Sequence, residues 1–306
     1  MEKRIGLALG GGGARGMAHL GILKVLEEND VPIDFIAGTS MGAIIGAMYA
    51  QNPDADALIK QFDEYFDGKT YKDLGLEKAV PQKDKEPSIL HQFVEAVGKR
   101  IVLNFAFSRS ALLQKNTLDD AIQSFVKKGE FKDTKIPFYA VCTDLNYGEP
   151  VVFKSGDIQK AVKLSSLIPI YFPPVAEDGK LLTDGGVTSP VPVNEIQEAN
   201  VDIIIAVSVA RNRYHPLNED PKLLDIITRM QYIKGAYLSQ AQMEKADIVL
   251  DPVFDDAHWS EFLKYREFIE TGKKEAQKQI GDILELIRKK QSITSRLIRF
   301  LFGNSN

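Results

Sequence analysis

The chain has 306 residues, enough for one large domain or two modest ones with a substantial core. Hydrophobic residues make up 44% and charged residues 26%, which excludes a disordered, collagenous or coiled-coil chain. A net charge of −4 argues against a surface built for phosphate backbones, so no nucleic-acid partner is expected. The single cysteine, Cys142, can form neither an intramolecular disulfide nor a thiolate metal site, which fits a reducing compartment. Met1-Glu2-Lys3-Arg4 and the short apolar run after it lack the long apolar core of a signal peptide. No apolar run reaches the ~20 residues that cross a bilayer, so a cytoplasmic protein is expected.

In chain order, residues 4–9 (RIGLAL) are nearly all apolar and predict a buried strand. After four glycines, residues 17–29 carry Leu20, Leu23, Val25 and Leu26 at helical spacing. Residues 34–37 (DFIA) predict a second buried strand. Residues 41–50 (MGAIIGAMYA), rich in small side chains, predict a helix pressed onto a sheet. Strand, helix, strand, helix with short joints implies parallel pairing in an α/β layered fold. Residues 71–87 are charged, contain Pro81 and Pro87, and predict an exposed loop. Ser88 offers an N-cap to an apolar helix through Leu90, Phe93, Val94 and Val97, and apolar residues continue to Phe107. Residues 136–142, 151–153, 181–183 and 246–250 predict further strands, and residues 201–209 (VDIIIAVSV) a central one. Tyr265, Phe268, Ile269, Ala276, Ile280, Leu284 and Ile287 recur at helical spacing and predict a long closing helix.

Gly38-Thr39-Ser40-Met41-Gly42 is a GxSxG sequence directly between a predicted buried strand and a predicted helix. In that context the serine sits on a strained turn, a nucleophile elbow, whose glycines stand where neighbouring chain leaves no room. The helix N-terminus behind it favours developing negative charge. Outside that context the same pattern is an ordinary capped turn. Gly10-Gly11-Gly12-Gly13-Ala14-Arg15-Gly16 follows the first strand, and Gly11, Gly13 and Gly16 match the spacing of a dinucleotide loop. That site also needs an acid ending the second strand, where the chain has Ala37-Gly38-Thr39; the strand's only acid, Asp34, is at the other end. Consecutive glycines equally suit an oxyanion hole, whose N–H groups approach a tetrahedral oxygen unobstructed, with Arg15 adding positive potential or anchoring the loop. A serine nucleophile needs a base, yet none of His19, His91, His215 and His258 falls in a convincing strand-end loop. Thr183-Asp184-Gly185-Gly186 instead sets an acid at the end of a short strand, although Asp-Gly is also a common turn.

Glycine loop, GxSxG and Asp-Gly-Gly in this order, with residues 165–174 (SSLIPIYFPP) before the acid, make the chain resemble the patatin-like phospholipase family. The resemblance runs from about residue 5 to 209 and on towards 251. It implies a three-layer α/β sandwich around a mostly parallel sheet, similar to a modified α/β-hydrolase. By that resemblance Ser40 is the nucleophile and Asp184 the general base of a dyad without histidine. Gly11, Gly12 and Gly13 would form the oxyanion hole, supported by Arg15, Gly16, Gly38, Gly42, Gly185 and Gly186. The implied reaction is hydrolysis of acyl esters of phospholipids, lysophospholipids or neutral lipids through an acyl-enzyme, with no cofactor and no metal. A carboxylate near its ordinary pKa of ~4 is a weak base for a serine hydroxyl, so modest turnover is expected.

Two alternatives share the fold: a transacylase, in which an alcohol replaces water, and a non-catalytic membrane-associated protein. The intact Ser40, Asp184 and glycine loop speak against the second. Without a linker, one catalytic domain over residues 1–255 is expected, with a helical extension over 256–306. Residues 89–107 offer either an acyl-chain wall or lid, or ordinary core. Residues 288–302 hold Arg288, Lys289, Lys290, Arg296 and Arg299, with Ile293, Leu297, Ile298, Phe300, Leu301 and Phe302 on one helical side. That segment either lies at the inner face of the membrane or packs on the domain. Oligomeric state is left open.

Overall fold

The computed structural model describes residues 3–67, 115–169, 171–210, 216–217, 220–221, 223–254, 257 and 259–302. The predicted loop at 71–87 and apolar helix at 88–107 lie outside the described residues, as do His91, His215 and His258.

Strand β1 (Ile5–Leu9) is buried at every position, because both faces of the sheet are covered. Ile5, Leu7 and Leu9 enter one hydrophobic cluster, and Ala8 a second on the opposite face. β2 (Phe35–Thr39) divides alike, with Ile36 in the first cluster and Phe35 and Ala37 in the second. This period of two within an all-apolar run is what the pleat imposes. The remaining strands are β3 (Phe138–Asp144), β4 (Glu149–Phe153), β5 (Val175–Glu177), β6 (Lys180–Asp184), β7 (Ile203–Val207) and β8 (Ile248–Leu250). They form one sheet in the order β5-β6-β3-β2-β1-β7-β8, with β4 also paired to β3. Pairing is parallel from β3 through β2, β1 and β7 to β8, whereas β4, β5 and β6 join antiparallel. The three-layer, mostly parallel architecture expected from the sequence is the one observed.

Helices α1 (Ala18–Glu28), α2 (Met41–Gln51), α3 (Ala55–Asp67), α4 (Lys115–Phe125) and α5 (Ile158–Ser165) contribute to the first cluster. The short α6 (Val193–Gln197) and the end of α7 (Leu223–Met243) pack on the second. The last helix, α8 (Tyr265–Phe302), starts at the predicted place but runs on through the basic segment. Its residues Tyr265, Phe268, Ala276, Ile283 and Ile287 are buried in the same core as β1 and α1, and the two helices cross at Gly21 and Gly272. Lys290 donates to the Asp202 carbonyl (2.6 Å) and the Asp247 carboxylate (2.7 Å), just before the amino-terminal ends of β7 and β8. The start of the basic segment therefore rests on the domain. Side chains from Ile293 onward lie outside the described residues. No helix among the described residues is long and apolar enough to cross a membrane.

β1, β2 and β7 end at Leu9, Thr39 and Val207, so the glycine loop and Ser40 collect at one edge of the sheet, outside the carboxyl ends of the strands. Ligands in open α/β sheets bind there. Lys290 marks the opposite edge.

Candidate active site

Ser40 stands between β2 and α2 with φ 54° and ψ −121°, a backbone conformation that side chains rarely adopt. Holding it costs on the order of 1–3 kcal/mol, which the surroundings must over-determine. They do so at several points. A Cβ on Gly42 would lie 2.1 Å from the Leu9 carbonyl oxygen, so the start of α2 touches β1 directly and only glycine fits. Gly38 lies against the Gly42 carbonyl, and Gly16 against Met41. The Thr39 hydroxyl donates to the Ser189 carbonyl (2.7 Å). The Ser40 N–H donates to Ser165 Oγ (3.0 Å), whose hydroxyl donates to the Val141 carbonyl (2.5 Å).

Asp184 ends β6, with Cys142 as its cross-strand partner, and its backbone N–H donates to the Leu167 carbonyl (3.1 Å). The Thr183 hydroxyl donates to the same carbonyl (2.9 Å). The segment beginning at Ser165 thus grips both the elbow and the acid. Asp184 Oδ1 accepts the Gly186 N–H (2.7 Å), and Gly185 lies against the Val141 carbonyl. Oδ2 is buried without a hydrogen bond in this resting arrangement. Burial pushes the carboxyl pKa up to about 6, against the smaller opposing pull of the Ser40 hydroxyl and the Gly186 N–H. The sequence-based expectation of a base near its ordinary pKa is therefore corrected: desolvation makes Asp184 the stronger proton acceptor. The neighbouring Cys142 thiol is pushed up to about 12, mainly by burial, and stays protonated.

The glycine loop passes directly over the serine, since a Cβ on Gly11 would lie 3.2 Å from Ser40 Cβ. The Gly10 N–H donates to Val207 and the Gly11 N–H to Pro190, both at 2.9 Å. Gly11, expected as an oxyanion donor, therefore already donates within the protein. The N–H groups of Gly12 and Gly13 have no partner among the described residues. Gly13 has φ 58°, and the Ala14 N–H after it donates to the Trp259 carbonyl (2.7 Å). Arg15 is buried and donates to the Ala257 carbonyl (3.4 Å), which favours its anchoring role over a field directed at the site. His19 is fully buried, and its Nε2–H donates to the Gly10 carbonyl (2.8 Å). Burial lowers its pKa to about 4, so it stays neutral beneath the loop.

Asp34 Oδ2 accepts the Ile5 N–H (2.7 Å), tying the start of β2 to β1 at the edge away from the glycine loop. That structural role, like the position, speaks against a ribose-binding acid. Among the described residues, no group of three or more His, Cys, Asp or Glu stands together as a metal site.

A cavity of about 120 Å³ opens on Ser40 and Gly13, walled by Met41, Ile44, Phe62, Phe125, Phe172 and Trp259. The Phe62 and Phe125 rings stack at 4.2 Å, joining α3 to α4. Neither helix was among the elements expected from the sequence. The buried spacing of Leu58, Phe62 and Phe66 is the signal that would have found α3. Ser165 was noted within its motif but not as a support for Ser40, because a hydroxyl reaching across 125 residues leaves no local trace.

The site so arranged sets Ser40 and Gly13 at one apolar cavity, with the buried Asp184 carboxylate close enough to feel the Ser40 hydroxyl and the Gly12 and Gly13 N–H groups without a partner among the described residues, a set suited to acyl transfer. The patatin-like phospholipase family matches residues 7–196. The protein called lysophospholipase NTE1 in Pyricularia oryzae is 27% identical over 296 residues, which is 89% of this chain and 18% of that protein. An uncharacterized NTE family protein of Mycobacterium bovis is 32% identical over 221 residues, 71% of this chain and 52% of its own. The chain thus spans about a fifth to a half of the length of these curated relatives. Among solved structures, VipD from Legionella pneumophila aligns over 92% of this chain and 67% of its own, with a TM-score of 0.48 and 13% identity. The match to the family over most of the chain joins the three motifs on this sheet in one conclusion: the chain belongs to the patatin-like phospholipase family.

Proposed function

We propose that the protein is a lipid acyl hydrolase working through a Ser40–Asp184 dyad. Ser40 Oγ attacks the ester carbonyl as Asp184 Oδ2 accepts its proton, and the N–H groups of Gly12 and Gly13 receive the oxyanion. Asp184 returns the proton to the leaving alcohol, then draws one from the water that hydrolyses the acyl-enzyme and passes it to Ser40 Oγ as the fatty acid departs. The observation that carries this reading is the strained Ser40 beside a buried, basic Asp184 at the mouth of an apolar cavity. His19, the histidine among the described residues, is held by the Gly10 carbonyl and is not the base of this reading. The apolar cavity that opens on Ser40 suits an acyl chain, and the name lysophospholipase on the Pyricularia oryzae relative points to a lipid ester of that kind.

A fluorophosphonate probe is expected to label the intact protein at Ser40 alone, in competition with a lysophospholipid. Labelling at another serine, or none, would remove Ser40 from the role.

Gly13→Ala is expected to lower turnover by about 10²–10³-fold, the usual loss of an oxyanion donor. Its Cβ would meet the Trp259 carbonyl oxygen at 2.5 Å in a conformation that alanine resists, so the loop must shift. Gly12→Ala, facing the Val209 carbonyl oxygen at 2.6 Å, is expected to behave alike. Turnover unchanged in both, measured on a soluble ester, would place the oxyanion elsewhere.

A further inference from the structure

Helix α7 is amphipathic in the wrong sense for a helix covering a domain in water. Its outward residues include Leu223 (68% exposed), Met230 (51%) and Tyr237 (73%), with Ile226 and Ile233 each near 40%. At 100° per residue these five fall within an arc of about 80°. The inward side carries Ser239 and Gln242, both buried. Gln242 accepts the Val191 N–H (3.1 Å) and donates to the Thr188 carbonyl (3.1 Å). Soluble helices normally turn these two faces the other way, and an exposed apolar stripe of this length marks an interaction surface.

Its position says what the surface meets. Gln242 fixes the end of α7 to the loop that follows Asp184. Three turns earlier Tyr232 comes within electrostatic range of Tyr171, whose ring packs edge-on against Trp259 at 4.4 Å. Trp259 is a wall of the cavity that opens on Ser40. Two further exposed apolar residues adjoin the same site: Val187, just after Gly186, and Leu263, next to the cavity residue Phe262. Charge supplies the rest of the argument. Between Asp225 and Glu244 the only charged residues are Arg229 and Lys234, both cationic and both on the outward half of the helix.

We propose that α7 docks the protein on a phospholipid surface bearing anionic headgroups, with the mouth of the Ser40 cavity facing that surface. The proposal rests on the lipid-hydrolase reading and names where the lipid enters. Leu223, Ile226, Met230, Ile233 and Tyr237 sink among the headgroups and upper acyl chains, while Lys234 meets the anions. A substrate leaving the layer then reaches Ser40 along apolar walls. Lys290, at the start of the basic segment, is held at the opposite edge of the sheet, away from the mouth of the cavity.

The test uses full-length Ser40→Ala protein, which does not consume its target, sedimented with vesicles of phosphatidylcholine alone or mixed equally with phosphatidylglycerol. The mixed vesicles bind it better. The triple variant Leu223→Gln, Met230→Gln, Tyr237→Gln loses about tenfold or more in binding, with an unchanged melting temperature. In the Ser40 background it keeps full hydrolysis of a soluble short-chain ester. Lys234→Gln weakens binding to the mixed vesicles only, and truncation after Ser292 leaves binding intact. The proposal is overturned if the triple variant binds as its parent does, or if truncation alone abolishes binding. A dimer that the triple variant dissolves, seen by light scattering, would assign the stripe to a second copy. A sharp fall in melting temperature would assign it to the chain's own packing. Absence of ester hydrolysis in every Ser40-bearing protein, with vesicle binding intact, would defeat the hydrolase reading and leave the docking surface standing.

Discussion

Replacing Ser40 with alanine is expected to leave a folded protein whose ester hydrolysis falls by about 10⁶-fold, because the covalent route is gone. What survives is the contribution of the open Gly12 and Gly13 amides and of binding, which elsewhere leaves ~10³–10⁴-fold over water. Stability serves as the control. Alanine keeps a side chain at φ 54° and so keeps the strain of the elbow, and its melting temperature should match the parent. Glycine at the same place accepts that conformation freely, and Ser40→Gly is expected to be inactive yet more stable by about 1 kcal/mol, a rise of ~2 °C. Thermal unfolding beside an esterase assay reads both. Activity retained in either variant would end the nucleophile assignment.

Asp184→Asn is expected to lower turnover by several orders of magnitude, since the amide keeps the shape and cannot take the proton. In the parent, kcat/KM should rise with pH through about 6, where Asp184 ionises, and level off above. A profile flat from pH 5 to 8 would contradict Asp184 as the base. The same shift predicts a stability effect of definite sign. Burial raises the folded-state pKa to about 6, above the ordinary ~4 of the unfolded chain, so between those values the folded state binds the extra proton. Stability is therefore highest below pH ~4 and falls as pH rises through 6, by about 3 kcal/mol from this residue. The amide of the Asp184→Asn variant carries no such charge, so that variant should be more stable than the parent at pH ~7.5, with the advantage vanishing near pH ~4. An equal difference at both pH values would mean that Asp184 is not buried in its charged form.

The elements and motifs legible in the sequence were those whose cause is local. β1, β2 and β7 could be read from short apolar runs because strands covered on both faces need apolar side chains at every position. Ser40 and Asp184 could be read because a strand end, a tight turn and the adjoining glycines are neighbours along the chain. The long α8 declared itself by spacing as far as Ile287. α3 and α4 are harder to read, because apolar and charged residues mix there, although Phe62 and Phe125 stand in the cavity wall.

What only the tertiary structure decided is which groups meet. The sequence makes Gly11, Gly12 and Gly13 equivalent, and the fold separates them by bringing the Pro190 carbonyl to Gly11 and, among the described residues, nothing to the other two. It brings Ser165 Oγ to the Ser40 N–H across 125 residues, and it buries Asp184 deeply enough to raise its pKa. It also turns the polar side of α7 inward, against the loop after Asp184, and leaves the apolar side out. The physical reason is common to all of these. Backbone conformation and average burial follow from neighbouring residues and their periodicity, whereas hydrogen-bond partners and desolvation depend on segments that meet only when the chain has folded.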